Sequence, residues 1–420
     1  MKIKKMNNSL VEIDLPASKS ISNRLLFALS LFSNDLKVKG LLNCEDTQVF
    51  LSNLEIMGAK FEKASDSLFL KQPLDLLSLP ECALDLKDCG TALRFFTALC
   101  SLQDKEVTIR GSKRLLERPM QSLIDALVSL GASITWQKGE FLKVKGPITG
   151  NKLSVDASHS SQFVSALFFV VPFLSSPFYL HLEGKIVSKP YIHITQNILK
   201  QFGVEVIEEA NQTFKISYAP EKPIGREYSV EKDCSSASYL LTAAHILGKG
   251  ILIKDFNPFE MLQGDRVIVD ILQKMGADYI LHGKDLIFHG TSEIHPIVYD
   301  FINCPDIVLT VGVLAAFAKG KSTLKNVSNL EFKESNRLQA LIEGLDKVGI
   351  ETSREDDDLV IIGGRPKAAL IKDYKDHRVV MAFSLLSLVN QEIKVEGGGY
   401  CQKSFPDFFS TLSLLNGAVQ

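Results

Sequence analysis

One glycine recurs along this chain at a nearly fixed interval. Gly58, Gly131, Gly203, Gly276 and Gly349 are separated by 73, 72, 73 and 73 residues. Each closes a helical pattern and precedes a strand-like run, as in LVSLGASITWQKGEFLKV and LQKMGADYILHGKDLIFH. A glycine after a helix suits a left-handed C-terminal cap, and the run beyond it reads as two short strands around a polar turn. A period this regular confines the fold to copies of one supersecondary unit. A sixth glycine, Gly417, follows LSLLN, and the chain ends there before another hairpin. The strand-like residues around Val11 to Leu15 are expected to complete that sixth unit, which returns the N-terminal strand to the C-terminal half.

A second series runs in step with the first. Helix openings rich in small or polar residues stand at Ser18-Lys19-Ser20, Gly90-Thr91, Ser160-Ser161, Ser235-Ser236, Pro305-Asp306 and His377-Arg378, each before an apolar helix. Between the two series lies a strand, as in VTIRG, YLHLEG, ILIKDF, STLKNV and IKVEGG. The unit therefore reads as β-α-β-α-β-β, three copies in each half of an α/β chain. With 420 residues, two domains are the natural division. A single doubly wound sheet around a nucleotide is the runner-up, but no G-x-G-x-x-G follows a strand.

Composition narrows the partners. Hydrophobic residues make up 45% and charged residues 23%, the balance of a globular protein. The formal net charge of −2 argues against nucleic acid, whose binders carry a basic excess. Any anion site must come from local placement of Lys and Arg. The seven cysteines have no C-x-x-C spacing and read as reduced, mostly buried thiols, so a cytoplasmic location is expected. The apolar run from Phe163 to Leu180 is broken by Pro172 and three serines, and reads as a buried helix leading into a strand rather than a membrane span.

Ordinary capping explains the small residues at the helix openings but not the bases beside them: Lys19 and Arg24, Arg94, and Arg378. A helix N-terminus already attracts anions, so added cations are unfavourable there unless an anion arrives. The polar loops add Arg114 and Arg118, then Ser188 and Tyr191, then Lys333 and Arg337 with Glu334 between them, then Lys403. Lys333 and Arg337 are read as one helical turn apart. Asp306 and Glu334 sit among these cations, where a carboxylate would repel an anionic ligand unless it handled protons. Taken singly, Asp306 could be a plain cap and Glu334 an ion-pair partner. His377 reads as an acid, a phosphate ligand or a core histidine, with the ligand role ranked first. No H-x-x-x-H or H-E-x-x-H spacing suggests a metal, and none is expected.

In order and spacing, PASKSISNR, DCGTALR, ERP, HSSQF, VSKPY, DCSSASY, QGD, CPD, FKESNRL, DHR and KSFPDFF resemble the signature set of the 5-enolpyruvylshikimate-3-phosphate synthase family, from about Pro16 to Phe409. The resemblance implies an inverse α/β barrel of two domains, residues 17–231 and residues 1–16 with 232–420, with the active site in the cleft between them. It implies transfer of the enolpyruvyl group of phosphoenolpyruvate to shikimate 3-phosphate, in the shikimate pathway to chorismate and the aromatic amino acids. The implied shikimate 3-phosphate site is Lys19, Ser20, Arg24, Ser160, Ser161, Gln162, Ser188, Tyr191, Asp306, Asn329 and Lys333. The implied phosphoenolpyruvate site is Lys19, Gly90, Arg118, Gln162, Arg337, Arg378 and Lys403. Asp306 is the base expected at the hydroxyl and Glu334 the proton carrier at the methyl carbon. Lys19 and Lys403 would face the leaving phosphate, with His377 a further catalytic group. The chain departs from the family pattern at Asp88, commonly Asn, and at Phe95, often Pro.

No cofactor is implied; a monomer inhibited by glyphosate is. The nearest rival is the enolpyruvyl transferase acting on UDP-N-acetylglucosamine. That enzyme looks for Lys-Asn near the start and a cysteine in a mobile loop, where this chain has Lys19-Ser20 and a SKRLLERP segment without cysteine. An RNA-end-modifying relative or a passive phosphate-binding module fits less well, given the charge balance and the Asp306/Glu334 pair.

Overall fold

All five repeat glycines adopt positive φ: +109° at Gly58, +108° at Gly131, +77° at Gly203, +109° at Gly276 and +78° at Gly349. The residue after four of them reaches back to the helix, with Ala59 N donating to Leu54 O, Ala132 N to Leu127 O, Ala277 N to Leu272 O and Ile350 N to Leu345 O, at 2.9–3.1 Å. This satisfies helix-end carbonyls and turns the chain into the following hairpin. The computed structural model describes residues 10–32, 36–218 and 227–415. Gly417 lies outside them.

The chain divides into two compact units, residues 17–231 and residues 1–16 with 232–420. Within each, one sheet order recurs. In the second repeat, Ala83–Asp85 runs parallel to Val107–Arg110, which is antiparallel to Phe141–Lys145, itself antiparallel to Ser133–Gln137. The third and fifth repeats copy this order. The first repeat takes its opening strand from far along the chain: Glu227–Ser229 lies parallel to Lys37–Lys39.

The N-terminal strand does the same for the fourth repeat and corrects one expectation. Val11–Ile13 joins the C-terminal unit, but it pairs in parallel with Gly250–Ile253, not with the sixth repeat. Among the described residues the sixth repeat is a two-stranded parallel sheet, Ala369–Ile371 with Ile393–Val395. A first strand needs an open parallel edge. In the sixth repeat, Ala369–Ile371 already fills that place.

Helices, not sheets, form the centre of each unit. In residues 17–231, Lys19–Phe32, Gly90–Cys100 and Ser161–Val170 are almost wholly buried, and so are Cys234–Leu247, Val308–Ala315 and His377–Ser384 in the other unit. A helix apolar on every face has no place but a core. The sheets alternate buried and exposed residues, as Phe178–Glu183 does, so one face covers the core and the other meets solvent. The run from Phe163 is a buried helix to Val170, a 3₁₀ turn over Val171–Phe173, then that strand. Among the described residues, no helix is long and apolar enough to cross a membrane.

Candidate active site

In the unit of residues 17–231, the central helix starts are tied to one another. Arg24, 1% exposed, donates from Nε to Thr195 Oγ1 (2.9 Å), from Nη2 to Ser165 Oγ (3.2 Å) and from Nη1 to Ser20 O (2.9 Å). Three helices are thereby held by one guanidinium, which also lies over the rings of Phe95 and Tyr191. Burial pulls its pKa down to about 10. Gln162 Nε2 donates to Thr91 Oγ1 (3.1 Å), joining two further openings, while Gln162 Oε1 is buried with no hydrogen-bond partner. Ser160 caps its helix by accepting from Gln162 N, and Ser188 opens the helix Lys189–Lys200 from a left-handed conformation. Ser161 is buried beside them. Lys19 lies 2.9 Å from Asp46, at the start of the neighbouring helix Glu45–Ile56. Arg118 crosses Gly90 so closely that a Cβ there would stand 2.1 Å from its Nη1.

The C-terminal unit concentrates acids and bases instead. Arg337, 3% exposed, donates from Nε and Nη2 to the two oxygens of Asp376 (2.8 and 3.2 Å) and from Nη1 to Asp306 Oδ1 (3.1 Å). Burial alone would lower the pKa of Arg337, but Asp376, Glu334 and Asp306 outweigh it and raise it. Asp376 also caps the helix His377–Ser384 by accepting from Arg378 N and takes a hydrogen bond from Ser335. Arg378 lies 3.5 Å from Asp306 Oδ2 and donates to the Asp306 carbonyl. Glu334 Oε2 stands 2.9 Å from His377 Nδ1, 3.6 Å from Arg337 and 3.6 Å from Lys403. Burial pushes the Glu334 carboxyl up, but His377, Lys403 and Arg337 more than reverse that and hold it well below its usual range. Glu334, Asp376 and His377 place their ligand atoms within 4.8 Å of one another. Arg337 and Lys403 already occupy their charge, so this is a poor cation site and a good proton-handling one.

A family model described as EPSP synthase (3-phosphoshikimate 1-carboxyvinyltransferase) matches residues 3–412. The chain belongs to the EPSP synthase family. A 3-phosphoshikimate 1-carboxyvinyltransferase of Escherichia coli is 36% identical over 416 residues, covering 97% of this chain and 96% of that one. The same enzyme of Buchnera aphidicola is 34% identical, covering 95% of each. A solved EPSP synthase from Acinetobacter baumannii superposes with a TM-score of 0.72 at 23% identity, over 97% of this chain and 96% of that one. The enolpyruvyl transferase NikO from Streptomyces tendae gives the same TM-score at 14% identity, over 97% and 95%. These two likenesses show the fold. The chain is thus an enzyme, a carboxyvinyl transferase of two-domain α/β architecture.

Against the sequence reading, Lys333 and Arg337 are not one helical turn apart. Lys333 ends the 3₁₀ segment Ser328–Phe332 in an extended conformation, and Arg337 begins the next helix after the Asn336 cap. The break lets Glu334 turn toward His377. Asn329 sits in that 3₁₀ segment, its Oδ1 buried without a hydrogen-bond partner. Asp306 is the middle residue of a 3₁₀ turn, Pro305–Ile307, ahead of the α-helix proper. Phe95 does not line the substrate side: it is wholly buried with Phe27, Phe50 and Phe169. Asp88 accepts a hydrogen bond from Ser112 Oγ.

Two acids escaped assignment to the site. Asp376 anchors Arg337 from the DHR motif. Asp265, from QGD, is buried beside Asp306 and Arg378 and accepts from Ser235 Oγ, which in turn accepts from Arg378 Nη2 (3.3 Å). Burial and Asp306 push the Asp265 carboxyl up to about 7. Both motifs were visible in the sequence, but nothing there says which cation an acid will face.

Proposed function

We infer that this enzyme transfers the enolpyruvyl group of phosphoenolpyruvate to the 5-hydroxyl of shikimate 3-phosphate and releases phosphate, by addition and then elimination. In the addition, the hydroxyl oxygen bonds to C2 of phosphoenolpyruvate, its proton leaves to a base, and the CH₂ carbon gains a proton to become methyl. In the elimination, the methyl returns a proton as the C2–O bond to phosphate breaks. Asp306 serves as the base at the hydroxyl. Glu334 serves the methyl carbon, and its environment carries the reading: a carboxylate held ionised by Lys403, Arg337 and His377. Anionic substrates offset those cations, relax the carboxyl upward and let it exchange protons. Lys19 and Lys403 neutralise the departing phosphate.

The shikimate 3-phosphate set comprises Lys19, Ser20, Arg24, Ser160, Ser161, Gln162, Ser188, Tyr191, Asp306, Asn329 and Lys333. Phosphoenolpyruvate engages Lys19, Gly90, Arg118, Gln162, Arg337, Arg378 and Lys403. Each set draws on residues of both units, so we propose that both are needed for one substrate pair. Seven thiols, none in a disulfide, support a reducing, cytoplasmic setting, and the near-zero net charge supports action without nucleic acid; we propose a monomer alongside these. The test is phosphate release from phosphoenolpyruvate. Release should require shikimate 3-phosphate and should not occur with UDP-N-acetylglucosamine; the opposite preference overturns the reading.

A further inference from the structure

Arg94 belongs to neither substrate set, yet it is a cation buried to 2% exposure inside one of them. Nη1 donates to Gly90 O (2.9 Å) and Nη2 to Pro119 O (3.0 Å), while Nε is buried with no hydrogen-bond partner. Among the described residues no carboxylate accompanies it. Burial lowers its pKa well below the usual arginine value, and the neighbouring Arg118 cation lowers it further. A buried charge with no counter-ion is destabilising on its own, so its two hydrogen bonds are held at a cost to stability. The two carbonyls that it grips bracket Arg118: Gly90 lies under the Arg118 guanidinium, and Pro119 is the next residue in the chain.

The opposite end of the Arg118 segment is fastened to the same loop. Ser112 N donates to Lys87 O (2.8 Å) and Ser112 Oγ donates to Asp88, while Ser112 Oγ accepts from Leu115 N (3.1 Å) to open the short helix Lys113–Glu117. Arg118 follows that helix directly. The segment is therefore pinned before and after Arg118 to the stretch Lys87–Gly90.

We propose that Arg94 and the Asp88–Ser112 contact form a positioning frame that holds Arg118 over Gly90 and thereby sets the affinity for phosphoenolpyruvate. Arg94 also adds positive potential beneath the anion. This rests on the reading that Arg118 binds phosphoenolpyruvate.

The test compares Arg94→Met, Arg94→Lys, Ser112→Ala and Arg118→Met in the full-length enzyme, by steady-state kinetics in each substrate and by thermal unfolding. Arg94→Met should raise KM for phosphoenolpyruvate about tenfold or more, as loss of a charged hydrogen-bond donor does. KM for shikimate 3-phosphate should stay within about twofold, and the unfolding midpoint should hold or rise because an uncompensated charge has gone. Arg94→Lys should recover part of the affinity, and Ser112→Ala should show a smaller rise. If Arg94→Met does not fold, Arg94→Lys decides, its phosphoenolpyruvate KM rising selectively. A lowered midpoint with unchanged KM, or equal rises for both substrates, overturns the frame. If Arg118→Met raises the phosphoenolpyruvate KM while the Arg94 variants do not, only the frame fails. If Arg118→Met has no effect, the underlying assignment fails with it.

Discussion

In the unit of residues 17–231, Arg24 and Arg94 are buried among hydroxyls and carbonyls, and burial pulls the pKa of each down. In the other unit, Arg337 is just as deeply buried but clamped by Asp376, Asp306 and Glu334, which raise its pKa. The first arrangement holds surplus positive charge that an incoming phosphate or carboxylate completes. In the second, carboxylates already face the cation before any ligand arrives. One unit sets its buried arginines against neutral acceptors, the other against carboxylates.

The largest effect that tests this division is at Lys19, which the reading assigns to both substrates. Lys19→Met should lower kcat/KM by about a thousandfold or more while leaving circular dichroism unchanged, the scale expected when a preorganised donor is lost. A folded variant with near-normal kcat/KM removes Lys19 from the site.

Stability should separate the two uses of arginine next. Asp376→Ala leaves Arg337 without its bidentate partner and should destabilise the protein by about 3–5 kcal/mol in denaturant unfolding. Arg24→Met strands no carboxylate and should cost far less. Equal losses would mean that the contrast between the units has no energetic content.

Gly90→Ala comes third. The added methyl meets the Arg118 guanidinium before any ligand, and the far end of that side chain can swing away. KM for phosphoenolpyruvate should rise roughly tenfold, about 1–2 kcal/mol. If glyphosate takes the same pocket, its inhibition constant should rise in step, because both ligands lose the same contact. A rise for glyphosate alone would show that the methyl touches the inhibitor and that Arg118 stays in place.

The smallest effect concerns pH. The folded-state pKa of Asp265 is raised to about 7, so its contribution is fully present below the ordinary carboxylate range and is lost as pH climbs through 7. Glu334 and Asp376 shift the other way, and their contribution is lost only as pH falls below that range. Asp265→Asn should therefore improve stability at pH 8 relative to pH 5 by on the order of 1–2 kcal/mol. An unchanged difference in chemical denaturation would show that Asp265 ionises normally.

The repeat was legible because helix caps and hairpins are local: five glycines, each at positive φ, mark where five helices end. Buried helices were equally legible, since SALFFVV and VVMAFSLLSL have no polar face to turn outward. The clustering of cations beside helix starts could also be read, though not that Asp306 and Asp376 would meet two of them. The fold class and the cation-rich openings were thus determined by the sequence alone. Tertiary structure alone decided which open edge each first strand fills, sending Val11–Ile13 to Gly250–Ile253, some 240 residues away, and Glu227–Ser229 back to Lys37–Lys39. It also decided that Glu334 faces His377 and that Asp376 anchors Arg337. The physical reason is common to both. A local pattern specifies backbone geometry within a few residues, whereas a hydrogen-bonding edge or a buried charge is satisfied by whichever partner the packed chain brings within about 3 Å.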